Sequence, residues 1–182
     1  MSGIDERRPF VPVNIAVLTV SDTRGEADDA SGRTLVERLT GAGHRLADRK
    51  IVTDDTAAIV AQLERWIADP EVDVVISTGG TGVTGRDVTP EAFHAVYEKE
   101  IPGFGEIFRM ISWDKIKTST IQSRATAGVA GGTYLFALPG SPGACRDAWD
   151  EILRHQLDNR YRPCNFVELM PRLKEDTDPK PG

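Results

Sequence analysis

The run Ile15-Ala-Val-Leu-Thr-Val20, followed by Ser21-Asp22-Thr23-Arg24-Gly25, decides how the rest of the chain is read. It is uncharged, rich in β-branched residues and closed by a polar, glycine-ended turn. That is the pattern of a strand buried on both faces, as the strands of a parallel sheet are. Parallel strands need crossover connections, and the sequence downstream supplies them. Leu35, Val36 and Leu39 fall at helical spacing, with Ser31 as candidate cap and Gly41 as stop. Residues 45–52 read as extended. Asp54-Asp55 then precede a helix in which Ile59, Val60, Leu63, Trp66 and Ile67 form one apolar stripe before Pro70. Residues 72–77 are the next strand.

A glycine-rich loop follows, Thr78-Gly-Gly-Thr-Gly-Val-Thr-Gly-Arg-Asp87, and then Thr89-Pro90, where Thr is a candidate N-cap and Pro the first helical residue. That helix carries Phe93, Val96 and Tyr97. Phe104, Ile107, Phe108 and Ile111 make a further helical stripe, after which residues 118–132 are small and polar and give no clear element. Tyr134-Leu-Phe-Ala-Leu138 is a last buried strand, and Ser141-Pro142 opens a helix with Cys145, Ala148, Trp149, Ile152 and Leu153 on one face. Strands and helices alternate throughout, which predicts a three-layer α/β/α fold with a mainly parallel central sheet.

Length and composition agree with one soluble domain. The chain has 182 residues, 40% hydrophobic and 27% charged, enough to build a core and too apolar for disorder. The expected organisation is a flexible N-terminal arm over 1–12, the α/β domain over 13–166 and a C-terminal tail over 167–182, partly disordered and frayed from 174. The net charge is −6, without a block of Lys and Arg, so nucleic acid is not the expected partner. Arg7-Arg8 before an apolar run superficially resembles a signal peptide, but Pro12 and Asn14 interrupt it. The long uncharged stretch 125–145 carries five glycines and two prolines, which suits a strand with loops and not a membrane span. Cys145 and Cys164 match neither a disulfide framework nor a C-x-x-C pair. A cytoplasmic, reducing location without membrane attachment is expected.

The two most glycine-rich segments sit at predicted strand ends, where open α/β sheets bind ligands. Gly79-Gly80-Thr81-Gly82 leaves backbone N–H groups approachable by phosphate oxygens. Pro139-Gly140-Ser141-Pro142-Gly143 puts a hydroxyl at a helix start, where free amides favour an anion. Gly80, Gly82 and Gly85 satisfy G-x-G-x-x-G, but Pro90 resets the helix start too late for a dinucleotide fold. A P-loop fails as well, because Arg86 and Asp87 stand where Lys and Ser/Thr are required. A carboxylate beside phosphates repels them unless a cation lies between, so Asp87 points to Mg²⁺. Asp54 is either a second carboxylate for that ion or, like Asp55, a cap for the following helix. Glu91 reads as a dipole partner. His44, His94 and His155 are scattered, which argues against zinc.

Ser77-Thr-Gly-Gly-Thr-Gly-Val-Thr-Gly-Arg-Asp-Val-Thr-Pro-Glu-Ala92, together with Leu138-Pro-Gly-Ser-Pro-Gly-Ala144, resembles the MoaB/MogA family of molybdenum cofactor biosynthesis proteins. The segments 103–110, 119–125 and 162–166 look more like the MoaB branch. The resemblance implies a molybdopterin-binding-like fold and Mg²⁺-dependent adenylyl transfer from ATP to molybdopterin, releasing pyrophosphate. A molybdopterin-binding carrier without significant turnover is the alternative within the same pathway. It further implies that Asp54 and Asp87 are the catalytic, Mg²⁺-holding aspartates. Ser21, Asp22, Thr23, Thr78, Gly79, Gly80, Thr81, Gly82, Pro139, Gly140 and Ser141 are then the phosphate-, nucleotide- and pterin-binding positions. Its implied partners are these small molecules, other proteins of the pathway, and further copies of the chain in a homotrimer or homohexamer.

Overall fold

The structure is a computed structural model and describes residues 3–23 and 25–175. Arg24, and the part of the expected tail over 176–182, lie outside the described residues.

The main sheet has six strands in the order β3-β2-β4-β7-β6-β5. In chain order, β1 is Gly3–Ile4, β2 Asn14–Val20, β3 Arg45–Val52, β4 Val74–Thr78, β5 Lys99–Glu100, β6 Thr126–Ala130, β7 Thr133–Leu138 and β8 Tyr161–Arg162. Pairings β2/β3, β2/β4 and β4/β7 are parallel, whereas β6/β7 and β5/β6 are antiparallel. The sheet is thus mainly parallel, as expected, with an antiparallel edge built from β6, in the segment that the sequence left undefined, and the short β5. Five longer helices accompany it: α1 Ala30–Gly41, α2 Thr56–Ile67, α3 Thr89–Val96, α4 Pro102–Ile116 and α5 Pro142–Ala148, which continues as a π turn over Trp149–Leu153.

Alternation along the strands divides the core into two. Ile15, Val17, Val74, Ile76, Tyr134 and Phe136 pack on one face against Leu35 and Leu39 of α1, Phe104 and Phe108 of α4, and Trp149 beyond α5. Ala16, Leu18, Val75, Leu135 and Ala137 face the other way, against Ile59, Leu63 and Trp66 of α2 and Ala92 and Phe93 of α3. Both faces are therefore covered, which is why β2, β4 and β7 read as continuous apolar runs. Burying an aliphatic or aromatic side chain of this size contributes about 1.5–3 kcal/mol each.

Because α1 and α2 leave the sheet on opposite faces, the chain reverses its direction of winding between β2 and β4. A crevice opens at the carboxyl ends of these strands, the switch point at which open α/β sheets place their ligands.

Two helix starts differ from expectation. Asp29, not Ser31, caps α1: its carboxylate accepts the Gly32 amide at 2.9 Å and is buried with Thr19 and Arg49 around it. Thr89 lies inside α3 rather than capping it, and its hydroxyl donates to the Gly79 carbonyl at 2.8 Å. Residues 3–12, expected as an arm, are tied back: Gly3–Ile4 pair antiparallel with Tyr161–Arg162, and the Val11 amide donates to Asn159 at 2.8 Å. Val167 of the expected tail is buried against the first core, at the start of a short helix over Phe166–Leu169. Cys145 is buried, its thiol donating to the Thr78 hydroxyl at 3.2 Å, and Cys164 is exposed. Among the described residues, no helix is long and apolar enough to cross a membrane.

Candidate functional site

β2, β4 and β7 end side by side, so the turns that follow them must share one crevice. The crevice holds a cavity of about 950 Å³, large enough for ligands of nucleotide size. Its floor is Ser21 after β2, Gly79, Gly80, Thr81 and Gly82 after β4, and Pro139, Gly140 and Ser141 after β7. The close approach of these turns is what requires glycine. At Gly79, φ is +105° and a Cβ would lie 2.2 Å from the Val20 carbonyl oxygen, a contact no side chain can make.

The carbonyls of the β4 turn are occupied, and its first amide, on Gly79, donates to the Leu138 carbonyl at 3.0 Å. The Gly79 carbonyl accepts the Thr89 hydroxyl, the Gly80 carbonyl accepts the Thr89 amide at 3.0 Å, and the Thr81 carbonyl accepts the Arg124 amide at 2.9 Å. A peptide unit is planar, so fixing a carbonyl on one side fixes the next amide on the other. The amides of Gly80 and Thr81 accordingly point away from Thr89, and both residues line the cavity. Neither has a protein acceptor among the described residues. Adjacent backbone donors of this kind form an anion-binding concavity. At the β7 turn the Ser141 hydroxyl accepts the Ala144 amide at 3.1 Å and starts α5, as the sequence predicted.

Two carboxylates flank the free amides. Asp54 and Asp87 both line the cavity; a Cβ on Gly80 would be 3.1 Å from Asp54 Oδ1, and one on Gly82 would be 2.8 Å from Asp87 Oδ2. Asp55, not Asp54, caps α2, accepting the Ala58 amide at 2.8 Å. Asp54 is thereby left to the cavity. Burial pushes its carboxyl above the ordinary range, and the negative charges of Asp22 and Asp87 push the same way. At Asp87 burial acts upward too, but the hydroxyl and amide of Thr84, the Gly82 amide and the Arg124 charge outweigh it and hold the group low. The result is one firmly ionised carboxylate beside one that resists ionisation, an arrangement that a cation relieves. Among the described residues no cluster of three or more His, Cys, Asp and Glu could cage a metal ion. Two hard oxygen donors next to unpartnered backbone amides could hold Mg²⁺, which takes one or two carboxylates and completes its shell with phosphates and water.

Asp22, Thr23 and Thr78 do not line the cavity. Asp22 accepts the Asp54 amide at 3.0 Å and ion-pairs with Arg86, so it braces the wall beside Asp54. The Thr23 amide donates to the Ser21 hydroxyl at 3.3 Å. Thr78 is fully buried and donates to the Pro139 carbonyl at 2.9 Å, tying the two glycine turns together. Sequence reasoning missed the opposite wall: Phe108, Ser112 and Lys115 of α4, Ser119, Gln122 and Ser123 of the 3₁₀ turn over Lys117–Gln122 and its exit, and Arg146 and Asp147 of α5. The signal available was the spacing of Phe108, Ser112, Lys115 and Ser119, which puts them on one helical face. Glu91, expected as a dipole partner, stands in the first turn of α3 and pairs with Arg124.

The profile of the family described as "Probable molybdopterin binding domain" matches residues 16–159, a span that includes every element lining the crevice. The chain belongs to this family of molybdenum cofactor biosynthesis proteins. This molybdopterin-binding-family chain is 52% identical over 166 residues to Molybdenum cofactor biosynthesis protein B of Escherichia coli K12, covering 91% of this chain and 96% of the relative. A crystal structure of Molybdenum cofactor biosynthesis protein B superposes with a TM-score of 0.83 at 39% identity, over 91% of this chain and 98% of the other. A tungsten cofactor synthesizing protein MoaB from Pyrococcus furiosus follows at TM-score 0.75 and 32% identity, over 90% and 98%. The molybdopterin-binding fold, expected from the two glycine motifs, is the fold observed.

Proposed function

We propose that the chain transfers an adenylyl group from ATP to molybdopterin. The terminal phosphate oxygen of molybdopterin attacks the α-phosphorus of ATP, the bond to the β-phosphate breaks, and pyrophosphate leaves. The observation that carries this reading is the meeting of the free Gly80 and Thr81 amides with Asp54 and Asp87 in one cavity. Two polyanions have to lie together in a protein of net charge −6, so compensation must be local. The amides supply it for phosphate oxygens, at no cost in reorganisation because Thr89 holds them in place beforehand. Positioning supplies the rest, and no side-chain nucleophile is required.

Asp54 and Asp87 are the residues that would hold Mg²⁺. When bound, the ion neutralises charge on phosphate oxygens and on the departing pyrophosphate. Asp22 keeps the Asp54 backbone in place, and Thr84 orients the Asp87 carboxylate through its amide and hydroxyl, at 2.8 Å and 2.7 Å. Lys115 and Arg146 put cationic groups on the opposite wall, of which Lys115 pairs with Asp147.

The reading includes assembly as a homotrimer or homohexamer. Its support is an apolar helical face left in solvent: Ile107, Met110 and Trp113 succeed one another at three-residue spacing on α4, and Met110 is 66% exposed. A contiguous patch of this kind marks an interaction surface.

The test is chromatographic detection of adenylylated molybdopterin after incubation with ATP, Mg²⁺ and molybdopterin. Product dependent on Mg²⁺ and lost in both Asp54→Asn and Asp87→Asn supports the assignment. Pterin binding without product makes the chain a carrier instead.

A further inference from the structure

Arg124 makes three hydrogen bonds to carbonyls of the glycine loop, although it does not line the cavity. It lies between the 3₁₀ turn and β6, in the segment 119–125 whose chemistry the mechanism above does not use. Its backbone amide donates to the Thr81 carbonyl at 2.9 Å. Its Nε donates to the Gly82 carbonyl at 2.6 Å and its Nη2 to the Asp87 carbonyl at 2.7 Å. The outer edge of the same guanidinium pairs with Glu91 in the first turn of α3. One side chain therefore joins both ends of the loop, Gly82 and Asp87, to the helix that follows it.

The consequence is directional. The Gly82 carbonyl, once fixed, fixes the plane of the peptide that joins Gly82 to Val83, and the Asp87 carbonyl fixes the plane immediately behind the Asp87 side chain. Val83, Thr84, Gly85 and Arg86 between them are exposed, with no apolar packing to hold them. Within the loop, the Thr84 contacts to the Asp87 carboxylate are local, and the Arg86 pair with Asp22 is an exposed one. A planar fork with donors at fixed angles can donate to both carbonyls and a carboxylate at once; an ammonium on a flexible stem cannot.

We infer that Arg124 is a positioning residue that aims the Asp87 carboxylate into the cavity, acting through the hydrogen bonds of its guanidinium to the Gly82 and Asp87 carbonyls. The inference rests on the proposed reading of the cavity as a polyphosphate site.

The experiment measures Mg²⁺-dependent binding of inorganic pyrophosphate by calorimetry and adenylyl transfer by steady-state kinetics, on wild type, Arg124→Lys, Arg124→Gln and Glu91→Gln. Arg124→Lys and Arg124→Gln are each expected to weaken pyrophosphate binding at least tenfold, alike despite their different charge. Glu91→Gln, which removes an exposed partner and leaves both loop carbonyls bonded, is expected to weaken it less than threefold. Thermal unfolding reports on the fold separately. An Arg124→Lys protein that binds pyrophosphate as wild type does would overturn the inference, as would a loss in either Arg124 variant accounted for by the unfolded fraction. No pyrophosphate binding by wild type would overturn it too. If wild type binds pyrophosphate and both Arg124 variants lose it, but no adenylyl transfer occurs, the positioning role stands and the transferase reading falls.

Discussion

Asp54 and Asp55 are neighbours in the chain and are put to different uses: the Asp55 carboxylate accepts the Ala58 amide at 2.8 Å and closes α2, while Asp54 faces the glycine turn beside Gly80. The two roles separate in mutants. Asp55→Ala should cost about 1 kcal/mol of stability, the usual loss for a helix cap, with turnover per folded molecule retained. Asp54→Asn should leave stability equal or higher, because it removes a carboxylate whose ionisation burial, Asp22 and Asp87 all oppose. Its Mg²⁺-dependent turnover should fall by on the order of 100-fold, as for a group that stabilises charge in the transition state. Urea unfolding and initial-rate assays on both variants check this; equal turnover in the two contradicts it.

Acidification should act on Asp54 before it acts on Asp87. A carboxyl held above its ordinary range binds a proton at a higher pH, and a protonated carboxyl holds no cation. Apparent Mg²⁺ affinity should therefore weaken as pH falls through the raised Asp54 range, while Asp87, held low, is still ionised. Mg²⁺ titrations of turnover across this interval should show the loss in wild type and a flatter profile in Asp54→Asn.

Glycine at 79 and at 85 should behave oppositely. Gly79 combines φ of +105° with the Val20 carbonyl in the way of any Cβ, whereas Gly85 has open space around it. Gly79→Ala should destabilise by about 3 kcal/mol, the upper range for backbone strain at a constrained site. Gly85→Ala should stay within about 0.5 kcal/mol, as surface substitutions do. Comparison of denaturation midpoints decides the point.

His44 predicts a separate pH dependence of stability. It is buried between Phe10 and Trp149 and accepts the Val13 amide at 3.2 Å. Burial lowers it from 6.5 to about 4, against a smaller upward pull from Asp158. Between those values the unfolded chain binds the proton and the folded chain does not, so stability is full above 6.5 and drains away as pH falls towards 4. From pH 7 to pH 5 the loss should be about 2 kcal/mol. His44→Asn, itself less stable, should show a shallower slope over this window in urea titrations.

Trp113→Glu on the apolar face of α4 should yield a smaller species than wild type in light scattering, because a charge on that face opposes its burial between copies. A wild type that is monomeric at micromolar concentration contradicts the assembly.

Much of this was legible in the sequence because it depends on short-range pattern. The run from Ile15 to Val20 needed only its composition to be read as a doubly buried strand, and the glycine turns needed only their place after such strands. The remainder depends on partners distant in the chain. Asp28, Asp29 and Ser31 are all competent caps, and Asp29 is chosen because Thr19 and Arg49 converge on it. The strand Thr126–Ala130 has no apolar alternation to reveal it, and its Gly128 is there because the Tyr97 ring occupies the place of a side chain, 2.4 Å from where a Cβ would stand. Thr78 has the composition of a binding residue, yet its hydroxyl is spent on Pro139, which only the pairing of β4 with β7 brings near.

The proposed site joins Asp54, Asp87 and the amides of Gly80 and Thr81 around one ligand. Its most direct test is a crystal soaked with Mn²⁺ in place of Mg²⁺ and a non-hydrolysable ATP analogue, with the metal located by anomalous scattering. The expected result is a peak shared by Asp54 and Asp87, with phosphate oxygens on the Gly80 and Thr81 amides. A nucleotide bound elsewhere, or a metal that touches neither aspartate, would contradict it.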